Sequence, residues 1–453
     1  MPKKKTALTI EERLQQALVP AEEQPYEVPE NWVWVRLGAI AEIVTGGTPS
    51  KKHPEYYGGN FPFYKPSDLD QGRLTYDASE YLSEEGKNVS RIIPKNSTAV
   101  CCIGSIGKCG YLMCEGTTNQ QINSAIPKIN SLCLYYYLCT ENFVQDLLSM
   151  ASATTIAIVN KSKMESCAFP LPPLSEQQRI VERIEELLAK LDEAKERLQE
   201  VADSFAVRKA AILHNAFTGE LTKQWRWENG VSYESWEEKK GEDFFEYVTS
   251  GSRGWAKYYS DKGSIFIRMG NLNHGTIELD FSDIQYVELP YQVEGQRSKL
   301  QKNDILISIT ADVGMIALVR EDMDAYINQH VALARPKNDL YAEFLAWYFV
   351  SDDGLQQMQN KQRGATKIGL GLQDIRSIIL KIPTLPEQHE IVRLIDDLLA
   401  RERAAQQAAE QALASIDLMK KSILARAFRG ELGTNKASEA SALELLKQVL
   451  AEN

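Results

Sequence analysis

Apolar residues recur at alternating spacings of four and three along residues 180–205, which predicts a long helix with a coiled-coil seam. The seam consists of Ile180, Ile184, Leu187, Leu191, Ala194, Leu198, Val201 and Phe205. The same register returns at Ile391, Ile395, Leu398, Glu402, Ala405, Ala409, Ala412 and Ile416. We therefore expect two long helices that correspond to each other position by position.

The two seams belong to a longer repeated segment. Residues 171–221 and 382–432 align without a gap at an offset of 211 and share 20 identities, among them Glu176/Glu387 and Gln177/Gln388. Each copy ends in a glycine-marked stop, and a helix of ~40 residues would be ~60 Å long. A helix of this length could act as a ruler, and if the two helices pair antiparallel, Leu198 and Val201 of one seam meet the small residues of the other near the middle.

The segments between the helices also resemble each other, more faintly. VTGG at 44–47 returns as VTSG at 248–251, FPFYKPSDL at 61–69 as IFIRMGNL at 265–272, and NQQIN at 119–123 as NQHVA at 328–332. Short strand-like runs alternate with turn residues, and one aromatic helical stretch follows, at 131–150 and at 339–358. The pattern predicts an α+β chain built as two copies of one unit, each a mixed α/β domain followed by a long helix.

The predicted boundaries divide the chain into six parts. They are a tail at 1–25, a first domain at 26–170, a helical spacer at 171–225, a second domain at 226–381, a second spacer at 382–432 and a tail at 433–453. Thr9 and Glu12 are placed as a capping box for a short helix from Thr9 to Leu18. Leu443, Leu446 and Leu450 predict an amphipathic helix in the second tail, at 438–450, which could dock on a partner.

Charge and composition narrow the function. The 453 residues carry a net charge of −11, which excludes a uniformly basic nucleic-acid coat, so local patches must carry any DNA binding. No run is apolar enough to span a membrane and the N-terminus lacks a signal-peptide core, so we expect a cytoplasmic protein without membrane partners. The seven cysteines lie between Cys101 and Cys167 without C-x-x-C pairs, which favours reduced core residues over a zinc site.

Four motifs together resemble the specificity (S) subunit of type I restriction-modification enzymes. They are LPPLSEQQRIV at 171–181, the heptad helix, AFTGELTKQWR at 216–226, and LPEQHEIV at 385–392 with AFRGEL at 427–432. The resemblance implies two target-recognition domains that read one split sequence in double-stranded DNA and are separated by two long helices packed as an antiparallel coiled coil. Two related domains joined in this way have a pseudo-two-fold axis. The second copy departs from the family motif after its Gly-Glu-Leu, because Gly433, Thr434 and Asn435 follow where the first copy has Thr222 to Arg226. It is therefore an open question whether the second tail makes the contact that the first tail is expected to make.

The resemblance also implies partners and cofactors. Two modification (methyltransferase) subunits would dock on the helices, and two restriction (endonuclease/translocase) subunits would join for cleavage. This chain would be non-catalytic and bind no cofactor or metal, whereas S-adenosylmethionine would serve the modification subunits and ATP with magnesium the restriction subunits.

DNA reading requires basic, amide and hydroxyl groups on exposed loops, and three patches in each domain offer them at matching places. In the first domain they are Thr48, Ser50, Lys51 and Lys52; Lys65, Ser67 and Asp68; and Thr154, Thr155, Asn160 and Lys161. In the second domain they are Ser252, Arg253, Lys257 and Tyr259; Arg268 and Asn271; and Lys361, Arg363 and Lys367. We expect a shared DNA-binding face built from these patches.

Two other functions remain open from the residues alone. Asp68, Glu85 and Lys87 loosely imitate a metal-dependent nuclease site, although the second domain has Asn271 where an acidic ligand would recur, and Asp68 equally suits a turn or a base edge. A coiled-coil scaffold without DNA binding is the second alternative. His330, in an apparent strand, is expected to have a hydrogen-bonded structural role.

We predict that inserting four residues, about one helical turn, near Ala194 lengthens the unspecified gap between the two half-sites. Both half-sites should stay unchanged, because the insertion touches neither domain. Mapping of methylated sites in host DNA measures this directly, and altered half-sites would contradict it.

Overall fold

The computed structural model describes residues 9–151, 157–290, 295–363 and 369–452. The chain forms two compact units: unit 1 comprises Met1–Arg197 with Gln411–Asn453, and unit 2 comprises Leu198–Glu410. Each unit combines one sheet-containing domain with segments of both long helices. Thr154, Thr155 and Lys367 of the predicted patches lie outside the described residues.

The first domain begins with a capped helix and is built on nine strands. The elements are α1 (Ile10–Ala17), β1 (Val33–Arg36), α2 (Leu37–Ile40), β2 (Ala41–Thr45), β3 (Tyr57–Tyr64), β4 (Glu80–Leu82), α3 (Glu84–Asn88), β5 (Thr98–Cys101), β6 (Cys109–Tyr111), β7 (Thr117–Thr118), β8 (Ile122–Pro127), α4 (Ser131–Leu138), α5 (Glu141–Met150), α6 (Lys161–Ser166) and β9 (Ala168–Leu171). Thr9 and Glu12 form the predicted capping box on α1.

The helical repeat follows. It consists of α7 (Leu174–Asp203), α8 (Phe205–Phe217) and α9 (Lys223–Asn229). The single helix predicted for the first copy is interrupted at Ser204, whose hydroxyl donates to the carbonyl of Glu200 at 2.6 Å. Such back-bonding from a serine competes with the helix ladder and favours a bend.

The second domain repeats the first. Its elements are β10 (Glu237–Lys240), α10 (Gly241–Phe244), β11 (Phe245–Ser250), β12 (Tyr259–Ser260), β13 (Ser264–Ile267), β14 (Tyr286–Val287), β15 (Ile305–Ser308), β16 (Ile316–Leu318), β17 (Ala325–Ile327), β18 (Val331–Pro336), α11 (Ala342–Val350), α12 (Asp352–Asn360), α13 (Leu372–Arg376) and β19 (Ile379–Ile382). The chain ends with α14 (Leu385–Ala427) and α15 (Ala442–Ala451).

Strand order in the larger sheet is the same in both domains, which agrees with the faint sequence similarity between them, whereas the second sheet has an additional strand, β12, in the second domain. The larger sheets run β2-β8-β5-β6 and β11-β18-β15-β16, all antiparallel. A second sheet in each domain contains one parallel pair, β3 with β7 and β13 with β17. The antiparallel pairs β1-β9 and β10-β19 adjoin the starts of the long helices. The mixed α/β fold is confirmed.

The predicted single helical stretch of each domain is two helices, which corrects the sequence interpretation. Thr140 caps α5 by accepting from the amide of Phe143, and Ser351 caps α12 by accepting from the amide of Gly354. A capping hydroxyl satisfies an otherwise free amide and so permits a new helix to start. Of the seven cysteines, all free, four are buried: Cys101, Cys102, Cys133 and Cys167.

The long helices are antiparallel within each unit, as predicted. In unit 1, Arg179 contacts Glu439, and Asp192, further along α7, contacts Lys420 of α14. In unit 2, Arg208 of α8 contacts Glu402 of α14. Further along the chain from Arg208, the end of the first repeat reaches Glu387 near the start of α14, so the partner residues run in the opposite direction.

A buried carboxylate anchors the start of each long helix. Glu387 is fully buried and accepts from the side chains of Thr222 and Arg226 at 2.7 Å and from the Trp236 indole at 3.1 Å. The repeat-related Glu176 accepts from the Trp32 indole at 2.7 Å, from Asn435 at 2.8 Å and from Thr434 at 3.1 Å. We call these groups the carboxylate nodes. The second tail therefore does make its contact, through different residues.

The neighbouring glutamines and aromatic rings repeat as well. Gln177 accepts from the backbone amide of Asn130, and Gln388 from that of Tyr341. The ring of Phe428 lies edge-on to Tyr137 at 5.1 Å in unit 1, as Phe217 does to Tyr348 at 5.2 Å in unit 2. These contacts fasten the helix ends to the domain cores. α15 packs on α1 of its own unit and buries Leu446.

We predict that Glu387→Ala lowers the free energy of unfolding of unit 2 by about 3–5 kcal/mol, because it leaves the buried Arg226 guanidinium without its partner. Asp397→Ala, which removes the exposed pair with Arg401 on the same helix, should cost less than about 1 kcal/mol. Denaturant titration of both variants measures the difference. Equal shifts would contradict the structural role of the node.

Candidate nucleic-acid interface

Three turns meet at one end of the sheets in the first domain. The amide of Gly47 donates to the carbonyl of Thr118 at 2.8 Å, which joins the loop after β2 to the turn between β7 and β8. The amide of Asn119 donates to the carbonyl of Tyr64 at 3.1 Å, which brings in the turn after β3. We call residues 46–53, 65–68 and 119–121 turn cluster 1.

The second domain forms the same arrangement. The amide of Gly251 donates to the carbonyl of Val331 at 3.4 Å, and the amide of Asn328 donates to the carbonyl of Ile267 at 3.0 Å. We call residues 251–258, 268–271 and 328–330 turn cluster 2. Together the two clusters contain most of the predicted patch residues. These residues are far apart along the sequence but lie close together in each folded domain.

A glycine makes the close approach possible in each cluster. A Cβ on Gly46 would lie 2.2 Å from the carbonyl oxygen of Asn119, and one on Gly251 would lie 1.9 Å from that of Ile327. No other residue fits at these distances, so the loop can lie against the turn only with glycine there. The two glycines hold equivalent places, although a bulge between Phe245 and Tyr247 shifts the sequence alignment by one position.

Asp68 stabilises the turn after β3, and Asn271 stabilises the equivalent turn after β13. Asp68 is 8% exposed and accepts from the amide of Lys65 at 2.7 Å and from Ser79. Asn271, 3% exposed, accepts from the amide of Arg268 at 2.9 Å and donates to two carbonyls at 2.8 Å. Both side chains thus form hydrogen bonds within their own turns, which is the turn role that the sequence left open for Asp68 beside contact with a base edge.

The turn cations carry partners, whereas the loop cations of cluster 1 stay open. Lys65 lies 2.9 Å from Glu80, and Arg268 lies 2.8 Å from Asp283. Lys51 and Lys52 are exposed and have no acidic partner within the part of the chain that the structure describes. Ser50, Thr48 and Ser67 are exposed beside them.

Cluster 2 surrounds a polar basin of about 670 Å³. Arg253, Lys257 and Arg297 supply three cations, and Ser252, Tyr258 and Gln329 supply hydroxyl and amide groups. The buried Trp255 ring lies at its floor. No carboxylate is among the described lining residues, so the basin suits an anionic partner such as a phosphate backbone. Tyr259 is exposed on β12.

Sequence reasoning missed a pair of arginines. Arg91 donates to the carbonyl of Thr45 at the end of β2, at 2.6 Å. Arg297 donates to the hydroxyl of Thr249 near the end of β11, at 3.2 Å. The two arginines lie five and six residues before a shared Lys-Asn pair, at Asn96 and Asn303, and the fold brings each of them to the end of the strand that precedes the first loop of its cluster.

The described residues of the third patch lie, in each domain, at the same end as the turn cluster. Asn160 caps α6 and Lys161 pairs with Glu165 at 3.6 Å, both exposed, next to a segment that bonds to the end of β5. In the second domain, Arg363 is exposed and contacts Asp374 at 2.9 Å. Lys361 ends α12 and is half-buried.

Two tyrosine hydroxyls, of the half-buried Tyr57 and the buried Tyr64, stabilise cluster 1. Burial raises the pKa of Tyr57, whose hydroxyl donates to the carbonyl of Pro49 at 2.6 Å and fixes the loop after β2. Burial also raises the pKa of Tyr64, whose hydroxyl donates to the carbonyl of Tyr76 at 3.0 Å. Both therefore remain protonated donors across the neutral range.

The nuclease arrangement does not assemble. Asp68 bonds to its own turn, Glu85 accepts from Ser83 at 3.0 Å, and Lys87 pairs with Glu115 at 3.2 Å. Within the described ranges, no cluster of His, Cys, Asp and Glu side chains has the arrangement of a metal site. Nor is any described helix both long and apolar enough to cross a membrane.

Comparisons with known proteins show which family and which proteins the chain is similar to. Residues 29–203 and 233–412 match the family described as the type I restriction modification DNA specificity domain. The specificity subunit of the type I restriction enzyme EcoBI of Escherichia coli is 28% identical over 460 residues, covering 94% of this chain and 93% of that relative. The EcoKI specificity subunit of Escherichia coli strain K12 is 24% identical over 455 residues, covering 94% and 96%.

Solved structures share the fold. The HsdS subunit of Thermoanaerobacter tengcongensis aligns with a TM-score of 0.66 and 19% identity, over 90% of this chain and 99% of that one. A structure described as concerning complex assembly and conformational transition of the type I R-M system aligns with a TM-score of 0.62 and 19% identity, over 90% and 100%.

We predict that Asp68→Ala lowers the stability of the first domain by about 1–3 kcal/mol, because it removes the buried carboxylate that accepts from the amides of Lys65 and Ser79. Asp68→Asn keeps an acceptor oxygen and should recover part of the loss. Thermal unfolding measures both. Asp68→Ala with unchanged stability and altered base preference would instead show that this carboxylate reads DNA.

Proposed function

The chain belongs to the type I restriction modification DNA specificity family, and we propose from this premise that turn clusters 1 and 2 each read one half of a split DNA target. The observation that carries the proposal is the repeated convergence of three turns in both domains, with cations and amides on the exposed side. Phosphate contacts from the cations would fix the register of each domain, and the amides would contact base edges.

Local charge would supply the affinity. The chain as a whole carries a net charge of −11, so attraction to phosphate must come from the clusters and from partner subunits. Arg253, Lys257 and Arg297 form one concentration of positive charge, and Lys51, Lys52 and Arg91 the corresponding one. We infer modest affinity for the chain alone.

The target would be asymmetric. The two domains share the strand order of their larger sheets, but the residues exposed on their clusters differ at nearly every position. Two identical clusters would read identical half-sites, whereas these two offer different hydrogen-bonding groups. The half-sites should accordingly differ in sequence.

Catalysis would come from partners. As a specificity subunit the chain is not itself the catalyst, and we propose that two modification subunits bind its helical repeats and methylate DNA with S-adenosylmethionine. Restriction subunits that use ATP and magnesium would join the same complex for cleavage. We propose that this activity takes place in the cytoplasm.

We predict that replacing Arg253, Lys257 and Arg297 together by Ala weakens binding of the assembled complex to its target and reduces the salt dependence of binding. The slope of log K against log salt should fall by about 0.9 for each cation that contacts a phosphate. Titrations at several salt concentrations measure it.

The matched control replaces three cations of the same domain outside the cluster, Lys239, Lys302 and Lys381. This variant should keep the original slope. If both variants behave alike, cluster 2 does not face the DNA backbone.

A further inference from the structure

Each cluster presents a glutamine from the same kind of turn. The side chain of Asn119 accepts from the amide of Gln121 at 3.0 Å, and that of Asn328 accepts from the amide of His330 at 3.0 Å. The residue between, Gln120 or Gln329, is held at the tip of a short turn before the next strand. Gln120 is exposed, and Gln329 lies partly exposed on the wall of the basin.

Gln329 belongs to a hydrogen-bonded chain. Its Nε2 lies 2.9 Å from Nε2 of His330, and Nδ1 of His330 lies 2.6 Å from the hydroxyl of Thr310. An amide nitrogen can only donate, so the ring accepts at Nε2 and carries its proton on Nδ1, from which it donates to Thr310. His330 thus lies in a turn, not in the expected strand, and orients its neighbour.

This chain decides which groups Gln329 has left to offer. One amide hydrogen is used by the imidazole, while Oε1 and the second amide hydrogen have no partner among the residues that the structure describes. An acceptor beside a donor matches the major-groove edge of adenine, where N6 donates and N7 accepts. The surrounding Arg253, Lys257 and Arg297 would hold the backbone on either side.

We propose that Gln329 reads one adenine in the half-site recognised by the second domain, with His330 and Thr310 as positioning residues. This inference rests on the proposed function, since it requires that cluster 2 faces DNA. It goes further by naming the base and the atoms: Oε1 accepts from adenine N6, and Nε2 donates to adenine N7.

The first domain differs in a way that supports different half-sites. Oε1 of Gln120 already accepts from the hydroxyl of Thr48, at 2.5 Å, and Gln121 stands where His330 stands in the second domain. The glutamine is the same, but the oriented group is the carbonyl in one domain and the amide nitrogen in the other. Equal residues therefore present unequal edges.

The experiment begins with the target of the full chain. Sequencing of methylated bases in cells that carry the chain with its modification subunits gives the split sequence. Duplexes with each base pair substituted in turn then measure binding by the reconstituted complex. With Gln329→Ala, we expect discrimination at one A·T pair of one half-site to fall by about 5- to 150-fold, with the other half-site unchanged.

Gln301→Ala is the matched control, because this exposed glutamine lies at the opposite end of β15 from Thr310. It should leave discrimination at every position unchanged. His330→Ala should weaken discrimination at the same A·T pair as Gln329→Ala. His330→Gln, whose amide oxygen can accept near the place of the imidazole Nε2, should restore part of it.

The outcomes separate the two proposals. A wild-type complex that methylates no split sequence would overturn the proposed function itself. A split sequence whose every position is read equally well after Gln329→Ala would overturn only the role of Gln329. The same holds if the variant alters all positions together, or if the position that it relaxes is not an A·T pair.

Discussion

The buried carboxylate at the start of each long helix is the constraint on which the rest of each unit depends. A carboxylate without water is costly unless donors surround it, and Glu176 and Glu387 each have at least three. The donors come from the tryptophan just before the first strand of the domain sheets and from the tail after the other long helix. One buried charge therefore fixes the helix start, the domain entry and the opposite helix end together.

The nodes also show why sequence predicted one tail and not the other. Thr222 and Arg226 stand in the family-like motif of the first copy, whereas Thr434 and Asn435 follow a different spacing in the second. A carboxylate accepts equally from a guanidinium, a hydroxyl or an amide, so different residues can satisfy it. The repeated sequence specifies the buried glutamate that accepts. Which donors surround that glutamate depends on the path of the tail that follows the other long helix.

Much of the fold was accessible from the repeat and its periodicity: two matching domains, two antiparallel helices and the capped α1. The helix interruptions at Ser204, Thr140 and Ser351 could not be predicted. The helical periodicity of a segment does not show which of its hydroxyl groups will bond to nearby backbone groups. The DNA-binding role of the predicted patches stays a prediction, but their positions on loops could be read from the sequence, and the structure brings the first two patches of each domain together. Arg91 and Arg297 lie outside those patches, and whether Asp68 and Asn271 face outward depends on backbone amides that only the folded turn brings within reach.

The distribution of charge within the clusters separates two tasks. Lys65 and Arg268, next to the buried turn residues, are paired with Glu80 and Asp283, so their positions are fixed and their charge is largely compensated. Lys51, Lys52, Arg253 and Lys257, on the loops after β2 and β11, have no acidic partner among the described residues. An unpaired positive charge on a loop attracts phosphate whatever the base sequence. An amide whose orientation is fixed by its own domain forms hydrogen bonds only with a base edge that offers the complementary groups. The cations that attract phosphate and the amide that contacts a base edge therefore lie on different turns of one cluster. Substitution of exposed residues can change the DNA sequence that is read, while the glycine contact, the buried turn and the carboxylate node keep the fold unchanged.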